Sequence, residues 1–508
     1  MRKKHLIIGS IVLVLIIGIS VFLITGQKTV KEEWEWEKTT PEEQGMDSQT
    51  ILQFLEYVEA NDLNLSSLLV MRNGKIVTEV YYPPYKQKDK KHLYSTTKSI
   101  LSSLVGIALE EGYLESIDQP AADFFSESYT DDMDQRKKEI TIEDLLMMAS
   151  GYEQRYLDYS NEPGSSLPEQ IINRPLVNDP GKKYVYDDLN SHHLAAILAE
   201  SIEGDLLEFA KNNLFTPVGI EGVKWINLSE TRNLAGNYYS GAAGVYLTPR
   251  EMAKFGQLFL DQGYWEGEEV VPKDWVEQST SKHIETFRGI DDYGYHWWST
   301  EGGYFSSGLG GQHIKVIPKL DLVVVTTGNI NIEQEAFPLE ILTYAVEEDL
   351  DPNPEAVNDL EEKIDEIENP ERKEVASLPE KAAKISGQKY ELEDNDLGLE
   401  TIEIAFESDS AKVTSEQQEM GAQTIKIGLD NIYRQVELEE SLYEPVTIAA
   451  KGDWISNNRF QFEMIELGEG KYDVSLIFNE DELVVEVVNP VLFPVTGHFS
   501  PISGEIKE

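Results

Sequence analysis

The chain has no cysteine among its 508 residues. That excludes disulfides, thiol nucleophiles and cysteine-bound metal. It leaves the redox compartment open, because a cysteine-free chain survives in either. Basic residues are scarce: 43 lysines and arginines stand against 92 aspartates and glutamates, a formal net charge of -49. Such a surface repels phosphate backbones and anionic headgroups, no basic stripe offsets it, and no nucleic-acid partner is expected. Histidine is sparse too, and the eight present form no H-E-x-x-H or other metal-ligand pattern. The neighbours His192 and His193 point to different sides of a helix and read as polar or core residues. There is no nucleotide fingerprint and no G-x-S-x-G elbow, which disfavours an α/β-hydrolase. No cofactor and no metal are expected.

Long uncharged apolar runs are missing except at the N-terminus. Leu6 to Thr25 carries no charge, and twenty residues at helical rise span a hydrocarbon core of about 30 Å. Arg2, Lys3 and Lys4 precede it, so the positive-inside rule places the bulk of the chain outside the cell. A cleaved signal peptide would carry a shorter apolar region and a small-x-small exit. The exit here, Phe22-Leu23-Ile24-Thr25-Gly26-Gln27, matches that poorly. The expectation is an uncleaved single-pass anchor over residues 1–28, a tether over 29–40, and an extracellular remainder held at the cell membrane.

What is present begins with composition. Hydrophobic residues make up 41 % and aromatics 10 %, enough for real cores, and the length suggests about three domains. A helix is expected from Ser48 to about Ala60. Two β-rich runs, Ser66–Arg72 and Lys75–Tyr81, flank Asn73-Gly74, the strongest short hairpin signal. The organising stretch follows: Ser95-Thr96-Thr97-Lys98. Ile100, Leu101, Leu104, Val105, Ile107 and Ala108 recur at helical spacing, predicting a helix from Ser95 to about Tyr113. Residues three apart share a helix face, so the Lys98 amine falls beside the Ser95 hydroxyl. A serine needs a base within hydrogen-bond reach, and a lysine supplies one if burial or charge lowers its pKa. The helix start beneath Ser95 offers unpaired N–H groups to an oxyanion. Four residues of this pattern also describe a capped helix with a solvated lysine, so the case rests on the rest of the chain.

The segment LYSTTKSILSSLVGIALEEGYL resembles the nucleophile helix of the serine β-lactamase and penicillin-binding-protein superfamily. It is most similar to the class C-like branch, which includes esterases and nylon-oligomer hydrolases. ITIEDLLMMASGY (Ile140–Tyr152), AAGVYLTPREMAKFGQLFLDQGYWEGEEVV (Ala242–Val271) and YGYHWW (Tyr293–Trp298) agree with it in order. The resemblance spans roughly Pro41 to Glu348. It implies an α+β fold: an antiparallel sheet flanked by helices, with an all-α subdomain. It also implies a serine hydrolase that cleaves an amide, ester or peptide bond through an acyl-enzyme.

The resemblance assigns roles residue by residue. Tyr186 falls on the tyrosine of the superfamily's Tyr-x-Asn loop. A phenol acts as a base only as phenolate, which a nearby ammonium favours, so Lys98 and Tyr186 would share a proton as a coupled pair. Asp188 stands where the family usually has asparagine, and a carboxylate cannot donate that amide hydrogen bond. It would pair with a cation instead, either Lys98 or an amine of the substrate, which makes β-lactams and D-alanyl peptides poorer candidates. Asp187 and Asp188 alternatively cap the following helix, expected from Leu189 to about Ile202. The third motif lies in GGYFSSGLGGQHIKVIPKLDLVVVTTGN (Gly302–Asn329), read as two antiparallel strands around a glycine-rich turn. Ser306-Ser307-Gly308 or Gly308-Leu309-Gly310 stands in for it, without the family's basic residue. Ser307, Gly308 and Gly310 are substrate-binding candidates. The N–H of Leu309, or of a glycine one or two places on, is the candidate second oxyanion donor beside that of Ser95. Strand alternation decides whether His313 faces the cleft.

Beyond Glu347 the composition shifts. Residues 349–384 read as an acidic linker with one solvated helix. From residue 385 to 508, short β-rich runs separated by turn residues predict an antiparallel barrel or sandwich. The partners expected are a small amide, ester or peptide substrate, cell-wall peptide as one possibility, and the membrane through the N-terminal helix. The rival readings are a non-catalytic wall-peptide binding or sensor protein, and a β-lactamase or D,D-carboxypeptidase.

Overall fold

The eight-residue run Leu65–Arg72 (β1) lies buried along nearly its whole length, one strand in from the edge of an eight-stranded sheet. The computed structural model describes residues 36–154, 164–202, 204–286, 292–331, 334, 339–347, 350–417, 421–438, 445–489, 491 and 499–506. The chain divides into two units between Glu37 and Lys38. The expected anchor, Leu6–Thr25, lies outside the described residues. Among those described, no helix is long and apolar enough to cross a membrane.

β1 and Lys75–Tyr81 (β2) form the expected hairpin, with Asn73 and Gly74 at φ 52° and 72° in the turn. Six further strands complete an antiparallel sheet: Ile284–Glu285 (β3), Asp292–Tyr293 (β4), Trp298–Thr300 (β5), Gly303–Gly308 (β6), Gln312–Ile317 (β7) and Leu322–Gly328 (β8). Their order is β2-β1-β8-β7-β6-β5-β4-β3. The stretch Gly302–Asn329 therefore holds three strands rather than the two expected. Residues 318–320 form a 3-10 turn after β7, and Asp321 takes φ 49° to reverse the chain a second time.

β1 and β8 lack polar alternation because helices cover both faces of the sheet. On one face Ser48–Ala60 (α1) inserts Ile51, Phe54, Leu55 and Val58 among Leu68, Val70, Val80, Leu322 and Val324. Each such fully buried side chain contributes roughly 1.5–3 kcal/mol. Asp47 caps α1 by accepting from Gln49 N and Thr50 N. On the other face Gly256, in Pro249–Leu260, meets β8 so closely that a Cβ there would stand 2.6 Å from Val323 Cγ1.

Among the described residues between β2 and β3, helices predominate over a few short strands, and none pairs with the main sheet. Thr97–Glu110 (α2) and Asp188–Ser201 (α3) belong to this insertion. Beyond the hydrolase-like region, Pro354–Glu368 is the expected helix, but it is not wholly solvated. Leu360 joins the α1 core cluster, and Lys363 pairs with Glu59 at 2.8 Å.

The C-terminal strands make a barrel, not a sandwich. They are Gln388–Leu392 (β9), Leu399–Phe406 (β10), Ser410–Gln417 (β11), Gly421–Gly428 (β12), Arg434–Leu438 (β13), Val446–Ser456 (β14), Arg459–Glu466 (β15), Gly470–Asn479 (β16), Glu482–Val488 (β17) and Ile502–Ile506 (β18). The chain of antiparallel pairs runs β12-β11-β10-β9-β18-β17-β16-β15-β14-β13, and β12 also pairs with β14 in parallel. That pair closes a ring of nine strands, and a ring with an odd number cannot be antiparallel throughout.

Candidate active site

The chain reaches Ser95 under constraint. Tyr94 holds φ 46°, a left-handed conformation that is costly for a side chain of its size. A 3-10 turn spans Tyr94–Thr96 and α2 begins only at Thr97, two residues past the expected start at Ser95, which therefore lies in the 3-10 turn. Three hydrogen bonds pin the turn. Leu93 N donates to Val245 O at 2.9 Å. Thr96 Oγ1 donates to Gln312 O at 2.9 Å. Val245 N donates to Thr97 Oγ1 at 3.2 Å.

Lys98 reaches back from the first turn of α2 with its side chain only 2 % exposed. Its Nζ donates to Ser95 Oγ at 3.0 Å, to Asp188 Oδ1 at 2.7 Å and to Ala242 O at 3.0 Å. Asp188 opens α3, and it is Asp187 that caps the helix, accepting from Leu189 N. Of the two cations considered for Asp188, the geometry selects Lys98.

This pairing overturns the expectation of an amine made basic by burial. Burial works to lower the Lys98 pKa, but the Asp188 carboxylate and then Tyr186 outweigh it and hold the amine well above its ordinary value. Burial works to raise Asp188, and the Lys98 ammonium outweighs that too, holding the carboxylate below its usual range. Lys98 rests as an ammonium, with its three donor protons directed to three oxygens.

Tyr186 lies over this group, with Lys98 Nζ 4.9 Å from its ring centroid. Its ring stacks on Trp298 with centroids 6.2 Å apart and meets Tyr293 edge-on at 6.4 Å. Its backbone carbonyl accepts from Gln154 Nε2 at 2.6 Å. The YGYHWW segment thus supplies the aromatic wall that orients the phenol.

β6 brings the third motif to the same place. A Cβ on Gly308 would stand 2.1 Å from Leu93 O, so this strand end runs backbone against backbone beside the turn that carries Ser95. Leu309 follows at the first residue past the strand, with Gly310 at φ 81°. Ser307 pairs with His313 across β6 and β7. Ser306 is buried on the opposite side of the strand. His313 is itself buried, and its imidazole is pushed down to about 4 by burial and then by Lys315.

Sequence reasoning missed several contributors. Ala242 acts through its carbonyl, which no side-chain pattern reveals. Beneath the Lys98–Asp188 pair lie two buried imidazoles. His192 Nδ1 accepts from Gly241 N at 3.1 Å. His296 Nε2 lies 3.0 Å from Ser191 Oγ, and its carbonyl accepts from Ser99 Oγ at 2.7 Å. Burial foremost pushes His192 down to about 4 and His296 to about 3. Both imidazoles are therefore neutral at neutral pH. His192 and His193 are core residues, as expected.

The C-terminal barrel also reaches this site. Gly468 O accepts from His92 N at 2.8 Å, and Glu469 O accepts from the Tyr94 hydroxyl at 3.3 Å. The Glu469 carboxylate accepts from the Tyr246 hydroxyl and lies 3.5 Å from His92 Nδ1.

Comparison with known proteins gives a consistent outcome. The family model described as Beta-lactamase matches residues 56–345, more than half of the chain. The 6-aminohexanoate-dimer hydrolase of Paenarthrobacter ureafaciens is 23 % identical over 286 residues, covering 51 % of this chain and 71 % of that protein. Among solved structures, the octameric penicillin-binding protein homologue from Pyrococcus abyssi aligns with a TM-score of 0.47 at 16 % identity, over 89 % of this chain and 99 % of that one. FmtA from Staphylococcus aureus aligns with a TM-score of 0.47 at 17 % identity, over 62 % and 94 %.

Proposed function

This chain belongs to the beta-lactamase family, and from that premise we propose that it is a serine hydrolase acting on a small amide or ester through an acyl-enzyme at Ser95. One observation carries the reading: a buried ammonium, Lys98, lies 3.0 Å from the Ser95 hydroxyl and beneath the Tyr186 ring. Ser95 Oγ attacks the carbonyl carbon while its proton passes to the Tyr186 oxygen. Lys98 already carries its full complement of protons, so its task is to stabilise Tyr186 as phenolate and to orient Ser95. The N–H groups of Ser95 and Leu309 receive the oxyanion. As the C–N or C–O bond breaks, Tyr186 returns the proton to the leaving group. Water then attacks the ester on Ser95, losing its proton to Tyr186, and the proton returns to Ser95 as the acid departs.

The relative that acts on a 6-aminohexanoate dimer makes a linear amide the first substrate to try. Asp188 is committed to Lys98 and offers no amide donor, which argues against β-lactams and D-alanyl peptides. Nitrocefin and D-Ala-D-Ala peptides test that directly. The rival wall-peptide binding reading requires muropeptide binding that survives Ser95→Ala with no turnover in the wild type. Leu6–Thr25, as an anchor, would place the reaction outside the cell. The deciding experiment is intact-mass analysis after a fluorophosphonate probe: one adduct on Ser95, absent in Ser95→Ala, is expected. No adduct, together with equal ester turnover by the two proteins, removes the proposal.

A further inference from the structure

The C-terminal barrel is filled at one end and hollow at the other. At the filled end Trp454 packs against Phe406, Phe460 and Phe478 with ring centroids 5.3, 5.7 and 5.9 Å apart. Towards the other end the strands line a half-open cavity of about 390 Å³. That lies within the range of small-ligand sites. It is room for on the order of a dozen water- or methylene-sized groups at about 30 Å³ each. Its wall is mainly aliphatic, with Val413, Ile448, Val474, Leu476 and Val485 facing inward. Polar groups such as Gln417, Glu466 and Tyr472 stand at the strand ends that form the mouth. An aliphatic cavity of this kind holds water poorly.

The mouth of the barrel meets the nucleophile turn. β15 ends at Glu466 and β16 starts at Gly470, and the residues between them make the contacts to His92 and Tyr94 described above. From another part of the rim, Val491, just past β17, faces Gly310: a Cβ there would lie 3.6 Å from Val491 Cγ1. The rim therefore touches the residue before Ser95 and the residue after Leu309, the two flanks of the candidate oxyanion site. Burial first, and then Glu469, Tyr472 and Glu466 among its neighbours, raise the Tyr94 hydroxyl well above its ordinary value. Two cavity-lining groups are thus within electrostatic reach of the residue preceding Ser95. Burial, and then Glu469, also raise the Glu466 carboxyl. A rim of this character on a chain of net charge -49 does not draw an anionic head inward, so a ligand enters hydrocarbon first.

The geometry points to the barrel as the site for an aliphatic chain of the substrate. The ester or amide places its hydrocarbon in the cavity and its carbonyl at Ser95. This assignment rests on the hydrolase reading and names the substrate class that the same site takes.

The test uses the full chain and a series of p-nitrophenyl esters from acetate to dodecanoate. The expected kcat/KM rises about threefold to fourfold per methylene, from about 0.8 kcal/mol per buried CH₂, until the chain outgrows the cavity. Val474 and Ser415 both line the cavity, and Val474→Phe and Ser415→Phe fill it from different strands. Either should flatten the series while leaving acetate turnover unchanged. In parallel, dodecanoate should displace a naphthalene-sulfonate fluorophore from Ser95→Ala, a readout that needs no catalysis, and the filled variants should lose that displacement. A flat series in the wild type, or filled variants that keep the wild-type slope, overturns the assignment. So does failure of dodecanoate to displace the dye. Displacement by dodecanoate with no turnover of any ester overturns the hydrolase reading, and with it the claim that the bound chain belongs to a substrate.

Discussion

Ser95→Ala removes the group on which the proposed chemistry depends. The expected outcome is a loss of at least about 10³-fold in kcat/KM on any ester that the wild type turns over, with thermal stability little changed. Asp188→Asn separates charge from geometry. With the carboxylate gone, burial is left as the dominant influence on Lys98 and lowers its pKa, so the amine loses its proton at a lower pH than in the wild type. If the ammonium sustains Tyr186 as phenolate, the alkaline limb of the kcat/KM profile moves to lower pH, and an unmoved limb would rule out that role for the ammonium. Stability has its own sign. Asp188 is held below its ordinary range, so its contribution is present above about pH 3.9, the free carboxylate value, and is lost as pH falls through its folded value. Lys98 is raised, so its contribution is full below about 10.4 and is lost as pH climbs through its folded value. Breaking a fully buried pair costs about 3–5 kcal/mol. The Asp188 side chain is 45 % exposed, so Asp188→Asn should cost less, about 1–3 kcal/mol by urea unfolding at neutral pH.

At the scale of elements, the site is a junction of three backbone segments: the 3-10 turn at Ser95, the start of α3 and the end of β6. Gly308 is where the last of these meets the first. Gly308→Ala would drive a methyl to within 2.1 Å of Leu93 O. β6 must then withdraw from the nucleophile turn, carrying Leu309 with it. A displacement of about 1 Å in a catalytic group costs on the order of 10²-fold. The variant should therefore lose about that factor in kcat while KM changes less, as measured on p-nitrophenyl acetate. Equal losses in stability and activity would instead mean general unfolding. The α-helix starts at Thr97 and not at Ser95 as expected, because hydrophobic spacing reports the apolar face of α2 and is blind to the left-handed Tyr94 and the 3-10 turn that precede it. The three-strand outcome at Gly302–Asn329 has a similar origin: the second reversal uses Asp321 at positive φ, with no glycine to mark it.

At the scale of the whole molecule, the barrel and the hydrolase region share the nucleophile rim. The Glu469 side chain reaches His92 and Tyr246 from the β15–β16 turn. Glu469→Ala leaves both partners without their acceptor. The expected cost is about 1–3 kcal/mol for the groups left unpaired, with a several-fold fall in kcat/KM. A stability loss with kcat/KM unchanged would show that the contact holds the two parts together without shaping the site.

The residues proposed to do the chemistry could be singled out without coordinates, because their types and order carry information by themselves. Ser95, Lys98 and Tyr186 meet as the S-x-x-K spacing and the family resemblance implied. The hairpin at Asn73-Gly74, the helix from Ser48 and the β-rich C-terminal run follow from local propensity and turn chemistry. What local sequence does not encode is which distant groups share a small volume. The charge on Lys98 depends on Asp188, ninety residues away in the chain, and the amine is further held by the Ala242 carbonyl, whose side chain says nothing of its role. The barrel, the hollow at one end of it, and the placement of that mouth beside Ser95 arise from strand pairing across more than a hundred residues. Local pattern specifies the strands; only packing in three dimensions determines how they close and what they face.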